Sequence, residues 1–353
     1  MAVALNQGGV LLKNQMLGVI DATTYHKELE TLMTHRALAA VPIAGRYRLI
    51  DFILSNMVNS NIESVAIFPK NQYRSLMDHL GSGKNWDLNR KRDGLFFFPS
   101  PNIEENTNGI GSFFHFEANL DYFYRSKQEF SLIANCFTVI NIDFRPILQK
   151  HIISGCDITE IRHHGESLQM YLMKTSLLID LIKTREMTGY TCINDVIRDF
   201  HQPYRLCTFE FDGYAKMIDS IQAYFSTSMS ILEPHIWKQL FRKDRPIFTK
   251  VKDEPPSRYK KGASVSHSMI ANGCQIEGVV ENSIISRGVK IGKGSIVKNC
   301  IIMQKTQIDE ECILDSAIVD KDAKIESGTR LVGSAESPFV ISKGTVQGAL
   351  MNS

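Results

Sequence analysis

The chain has 353 residues, 43% of them apolar and 22% charged, with a formal net charge of +2. That is enough for two domains with a sizeable core and too little net charge to support nucleic-acid binding by bulk electrostatics. No apolar run approaches the roughly 20 residues of a membrane span, so a cytoplasmic protein without membrane or nucleic-acid partners is the expectation. Seven scattered cysteines, with no C-x-x-C pair and no His/Cys cluster at metal spacing, read as buried thiols in a reducing compartment.

Residues 1–15 contain a short apolar piece, Gly9 to Leu12, without a signal-peptide layout, and read as an upstream extension or a cloning remnant. Met16 to Ile20 reads as the first strand of an α/β domain. In a nucleotide-binding domain the next turn is where a Gly-rich loop cradles phosphates. Here it is Asp21-Ala22-Thr23-Thr24-Tyr25-His26, with neither glycine nor arginine. Such a turn does not readily take positive φ or let its backbone approach a triphosphate.

A punctuated turn, Pro42 to Gly45, precedes the charged run Arg46-Tyr47-Arg48. Leu49, Ile50, Ile53, Leu54 and Met57 then make one apolar stripe of a helix, with Asp51, Ser55 and Asn56 on the remaining surface. The helix stops around Asn59-Ser60-Asn61, and Ser64 to Phe68 reads as a buried strand. The basic stretch Asn71 to Gly94 has the plain reading of a helix followed by a solvated loop. Asn106 to Leu120 leads into a helix, Asp121 to Gln128, with Phe113, Phe114 and Phe116 as packing residues.

Leu132 to Val139 reads as the next central strand. Asp143 is either a substitute metal ligand or, more simply, a cap for the helix Arg145 to Ser154. Adjacent His163 and His164 should point apart into solvent. Leu168–Met173 and Tyr204–Phe211 read as strands and Ser176–Thr184 as a helix. Residues 246–262, with Pro246, Pro255 and Pro256, read as a linker. From 263 to 347 aliphatics recur about every six residues, from Ile270 to Leu331, with Gly, Ser, Asn or Asp between them. This is the pattern of a parallel β-helix whose coils stack to bury the aliphatics. The wider gaps 276–285, 297–308 and 314–325 suggest loops or slips.

Several stretches together resemble the glucose-1-phosphate adenylyltransferase (ADP-glucose pyrophosphorylase) family: Arg36-Ala37, Val41-Pro42, Tyr47 to Phe52, Leu54 to Asn56, Val58 to Ser60, Asp87 to Arg90 and Gly155 to Thr159. Gly213, Tyr214, Ile221, Tyr224 and Met229 fit the frame of a later motif. The resemblance implies a Rossmann-like nucleotidyltransferase (GT-A-like) α/β domain over residues 16–245, followed by a left-handed parallel β-helix of hexapeptide repeats. The departures fall on the chemistry. The family's phosphate loop is missing, and Leu38-Ala39 stands where the family has Lys-Pro. The segment bearing the first metal aspartate and the lysine segment for glucose 1-phosphate have no counterpart. The second metal aspartate falls on Met217, a soft neutral thioether unsuited to Mg²⁺.

These departures are similar to the GlgD-type branch of non-catalytic subunits. They imply no catalytic, cofactor or metal residues here, with Mg²⁺ and ATP bound by a GlgC-type catalytic subunit in a mixed tetramer devoted to bacterial glycogen synthesis. The resemblance also implies an anion site between the domains for a sugar-phosphate effector, at Arg36, Arg48, His79, Lys250 and Lys252. The competing reading is that these are separate surface charges. An active adenylyltransferase and a hexapeptide-repeat acyltransferase using His267, the coil's one histidine, are the alternative functions.

Overall fold

The computed structural model describes residues 15–99 and 109–348. Residues 1–14 of the expected extension, and the beginning of the loop expected from Asn106, lie outside the described residues. A seven-stranded sheet is built from β1 (Met16–Ala22), β2 (Ser64–Pro69), β3 (Gly94–Phe97), β4 (Phe130–Asn135), β5 (Ile158–His163), β6 (Glu166–Lys174) and β7 (Leu206–Glu210), in the order β7-β5-β6-β4-β1-β2-β3. Only β6 runs antiparallel to its neighbours. Every residue of β1 is buried, as a central strand covered on both faces requires. Gly18 within it admits the covering helix α1 (Leu49–Asn59): a Cβ there would come within 2.7 Å of Met57 Sδ.

The expected apolar stripe of α1 is present, but its other side is not solvated. Asp51, Ser55 and Asn56 are fully buried, and each makes at least one side-chain hydrogen bond, although Asn56 Oδ1 has no partner. Asn56 donates to the Ile140 carbonyl (3.0 Å), and Ser55 Oγ accepts from the Phe248 N–H (2.8 Å) and Trp86 Nε1 (3.2 Å). Asp51 Oδ1 lies 2.6 Å from Nε2 of His79, on α2 (Arg74–Leu80). The stretch from Pro246 is therefore strapped to α1, with Asn59 also donating to the Pro246 carbonyl (3.0 Å).

Other expectations change in detail. The helix expected from Asp121 to Gln128 runs from Leu120 to Arg125, after a short helix, Phe113–Glu117, in which Phe113 and Phe116 are buried. The expected strand Leu132–Val139 breaks at Asn135, whose Oδ1 accepts from the Phe137 N–H (3.0 Å) and Thr138 Oγ1 (2.8 Å). Thr138–Ile140 then pairs antiparallel with Ala215–Met217. The helix α3 (Arg145–Ser154) lies where expected. His163 and His164 do not point apart: their rings sit 4.0 Å from each other at the β5–β6 turn, and His163 Nδ1 is 2.8 Å from the Phe211 carbonyl.

The C-terminal part winds into three parallel ladders of six, five and five strands. The first strand, Arg258–Tyr259, already lies within the stretch read as a linker. The suspected loops are absent. Val280, Ile302 and Val319 occupy the wide gaps and point into the coil core. The ladder Val280, Val297, Leu314, Leu331 repeats every 17 residues, one short of three hexads, so one side of each of these coils is a residue shorter; the step before them, Val265 to Val280, is 15 residues. The last steps are longer: Val319 to Ile341 and Ile325 to Gln347 each span 22 residues. Corner side chains stack as well: Asn282 donates to Asn299 (2.8 Å), which donates to Asp315 (2.9 Å).

The coil packs against the α/β domain through Ile301 and Ile318, which join that domain's core. The contact also holds a buried ion pair, Arg36 Nη2 to Asp320 Oδ1 at 2.9 Å.

Candidate functional site

Two places merit attention, and the first is the end of β1, where a nucleotide loop would sit. Asp21 is buried there and folds the turn onto itself. Its carboxylate accepts from the Thr23 N–H (2.8 Å), the Thr23 hydroxyl (2.6 Å) and the Gly111 N–H (2.6 Å). No residue from 21 to 26 has positive φ, so the turn offers no concave set of N–H groups to a phosphate. His26 packs edge-on to Phe137 at 5.0 Å, and burial holds its ring pKa down against Asp219 and Glu28. A cavity of about 320 Å³ opens between this turn, Arg36 and Gln72.

The metal positions do not fit Mg²⁺, which demands several hard oxygen ligands. Met217 pairs with Thr138 across the short ladder. Asp143 is spent on Arg145, accepting its N–H (3.0 Å) and its guanidinium (2.7 Å), but it stands one residue before the N-cap, Phe144, so it is not the expected cap. Asp219 is exposed and accepts from Ser220 (3.2 Å). Among the described residues no group of three or more His, Cys, Asp or Glu could hold a metal ion. His267, the residue an acyltransferase would need, is half-exposed on the first coil and leans toward Glu233 (3.7 Å).

The second place is the seam between the α/β domain and the coil. A cavity of about 620 Å³ there is lined by Arg46, Tyr47, Trp237, Lys250, Lys252 and Arg287, among others. Thus Lys250 and Lys252 line one cavity. Lys250 Nζ also donates to the Asp78 carbonyl (2.6 Å). Arg48 donates to the carbonyl (2.6 Å) and hydroxyl (3.0 Å) of Ser75. Burial lowers its pKa to about 10, with Asp51 opposing and Arg36 adding to the shift. Arg36 is committed to Asp320. His79 is buried against Trp86, and burial outweighs Asp51 in lowering its pKa. Its Nε2 faces the Asp51 carboxylate, so the ring is committed to that contact.

Two cations missed by sequence reasoning, Arg287 and Lys321, belong to the same cluster. Burial pushes the Lys321 amine down to about 7, with Arg48 and Arg36 adding to the effect and Asp320 opposing it. Burial likewise lowers Lys252, with Arg287 and Arg48 as further causes. No distinct signal marks them in the sequence, since other coil corners also carry long side chains, Lys293, Gln304 and Lys305 among them.

One pH dependence follows. His26, His79 and His151 all have pKa values lowered by burial. Below about 6.5 the unfolded chain therefore binds protons that the folded chain resists. Stability should fall as pH drops from 6.5 toward the depressed folded values, by up to about 1.4 kcal/mol per pH unit for each ring. Urea midpoints at pH 7.5 and 5.5 check this, and His79→Gln should flatten the slope.

Comparison with known proteins agrees with the architecture. A family model described as "Nucleotidyl transferase" matches residues 27–163, and one described as "GlmU-like, C-terminal hexapeptide" matches 255–338. The molecule is a nucleotidyl transferase domain carrying a hexapeptide β-helix. The chain is 60% identical over 342 residues to the glycogen biosynthesis protein GlgD of Geobacillus stearothermophilus, and 54% identical over 343 residues to that of Bacillus subtilis (strain 168). Each match covers 97% of this chain and 100% of the relative. It is also 30% identical over 371 residues to a glucose-1-phosphate adenylyltransferase of Thermomicrobium roseum, covering 87% of this chain and 86% of that one. The chain belongs to the GlgD family of glycogen biosynthesis proteins, as the motif resemblance implied. Among the described residues, no helix is long and apolar enough to cross a membrane.

Proposed function

We propose that this chain is a non-catalytic, regulatory subunit that assembles with a GlgC-type catalytic subunit and raises its rate of ADP-glucose synthesis from ATP and glucose 1-phosphate. The observation that carries this reading is the closed turn after β1, where Asp21 holds Gly111 in place of any phosphate cradle. In the reaction, a phosphate oxygen of glucose 1-phosphate attacks the α-phosphorus of ATP, so catalysis rests on positioning and charge neutralisation. Each missing donor or metal ligand would cost on the order of 3 kcal/mol of barrier, and this cleft lacks several. Mg²⁺ and ATP then belong to the partner, in a cytoplasmic mixed tetramer.

The seam supports the regulatory half of the proposal. Lys250, Lys252, Arg287 and Lys321, backed by Arg48 and Arg36, form a concentration of positive charge suited to a sugar phosphate. Such an effector acts by favouring the arrangement of the complex in which the partner is active.

The test is ADP-glucose synthesis by this chain alone, by the GlgC-type subunit alone, and by the two co-purified. The expected result is no turnover by this chain and a faster rate for the pair than for the partner alone. Turnover by this chain alone, or a pair no faster than the partner, overturns the proposal.

A further inference from the structure

We infer that Cys156 and Cys207 are a redox modification site: a cystine that clamps the edge strand of the sheet and opens by thiol–disulfide exchange. The expectation of seven isolated thiols fails at this pair, which is disulfide-bonded with Cα atoms 6.0 Å apart. The backbone sets the two residues together. Asp157 and Arg205 bracket them: the Asp157 N–H donates to the Arg205 carbonyl (3.0 Å), and the Arg205 N–H donates to the Asp157 carboxylate (2.8 Å). Beyond that bracket β7 pairs with β5 in parallel register, Leu206 with Ile158 and Cys207 with Thr159.

Access distinguishes Cys207 from the other cysteines, its buried partner Cys156 included. Cys136, Cys192, Cys274, Cys300 and Cys312 are all buried, and burial raises each of their pKa values, so they are poor thiolates. Cys207 is half-buried between exposed Leu206 and Thr208, on a strand with one neighbour. In reducing compartments, cysteine pairs that do oxidise are chiefly transient or redox-sensing.

The clamp matters because β7 is held on one side only and leads, after Phe211, into the Ala215–Met217 strand that pairs with Thr138–Ile140. Its bond closes a span of 51 residues, and opening that span restores chain freedom to β7 and its approach. The exchange balances with a disulfide-bearing co-reactant such as oxidised glutathione or an oxidised dithiol protein. One cysteine thiolate attacks the co-reactant's disulfide and expels a thiolate. The second cysteine then attacks the mixed disulfide and releases another. The pair loses two electrons and two protons, and the co-reactant is reduced to two thiols. Reduction of the clamp runs the same steps in reverse.

The test uses the full chain, equilibrated in glutathione buffers from oxidising to reducing. Thiols are then alkylated after rapid denaturation and counted by mass. Five alkylated cysteines are expected at the oxidising end and seven at the reducing end, with full reversal. Limited trypsin digestion should cut near Arg198 and Arg205 at least about tenfold faster in the reduced protein. In Cys207→Ser and in Cys156→Ser, cleavage should be fast in both buffers. Seven free thiols in every buffer, or a pair reduced only after the protein is denatured, overturns the inference. So does a wild-type cleavage rate that ignores the buffer. If the serine variants fail to fold, the wild-type counts and digests alone decide it.

Discussion

Asp320→Ala should destabilise the protein by about 3–5 kcal/mol, the range for stripping one partner from a buried ion pair. Arg36 and Asp320 are 3% and 2% exposed, and the guanidinium's other bond is to the Leu32 carbonyl at 3.3 Å. Without the carboxylate, Arg36 stays out of water beside Arg48, with Lys321 and Lys252 in the same cluster. The loss should therefore exceed the worth of the pair itself. Arg36→Met in the same chain should recover part of it, because it removes the stranded charge. Urea unfolding of the wild type, both single variants and the double variant measures the coupling. A loss below about 1 kcal/mol for Asp320→Ala would show that the seam relaxes to admit water.

Inorganic phosphate or glucose 1-phosphate should raise the melting temperature, with chloride at matched ionic strength as the control. A ligand at 100 times its dissociation constant adds about 2.7 kcal/mol to the folded state. The seam is suited to give this response. An amine pushed down to about 7 by burial, Arg48 and Arg36 is protonated only at an energetic cost, and an anion relieves that cost. Binding should therefore take up a proton and be tighter at pH 6.5 than at pH 8.5. Arg48→Ala and Lys321→Ala should each diminish the shift, whereas Lys290→Ala, on an exposed part of the coil, should not. An equal shift in all variants would mean that the anion acts elsewhere.

Much of the architecture was legible because it repeats or is local. The aliphatic spacing announced the coil, the stripe from Leu49 to Met57 announced α1, and the glycine-free turn after β1 already argued against a phosphate cradle. What escaped was long-range. The polar side of α1 was left without partners, because sequence spacing does not show that Trp86 and Phe248 close over Ser55. The break at Asn135 depends on one amide turning back on its own backbone. Val280, Ile302 and Val319 looked like irregularities because a six-residue template was laid on a 17-residue coil. The five proposed anion residues do cluster at or beside the seam, but two of them, Arg36 and His79, are occupied by Asp320 and Asp51. Lys321 went unseen because its setting is made by residues almost 300 positions away.

The outward face of the coil has a consequence for assembly within the chain. Ile284, Ile301 and Ile318 are equivalent positions on successive rungs, about 4.8 Å apart, and two of them seat in the core of the α/β domain. A column of identical side chains is a poor ruler. Sliding the coil by one rung would offer that core nearly the same isoleucines. Asp320 has no such twin: the equivalent position one rung earlier is Met303, and the pairing of the rungs, Ile302 with Val319, fixes that correspondence. The Arg36 ion pair thus acts as the index mark that tells the two halves which rung is zero.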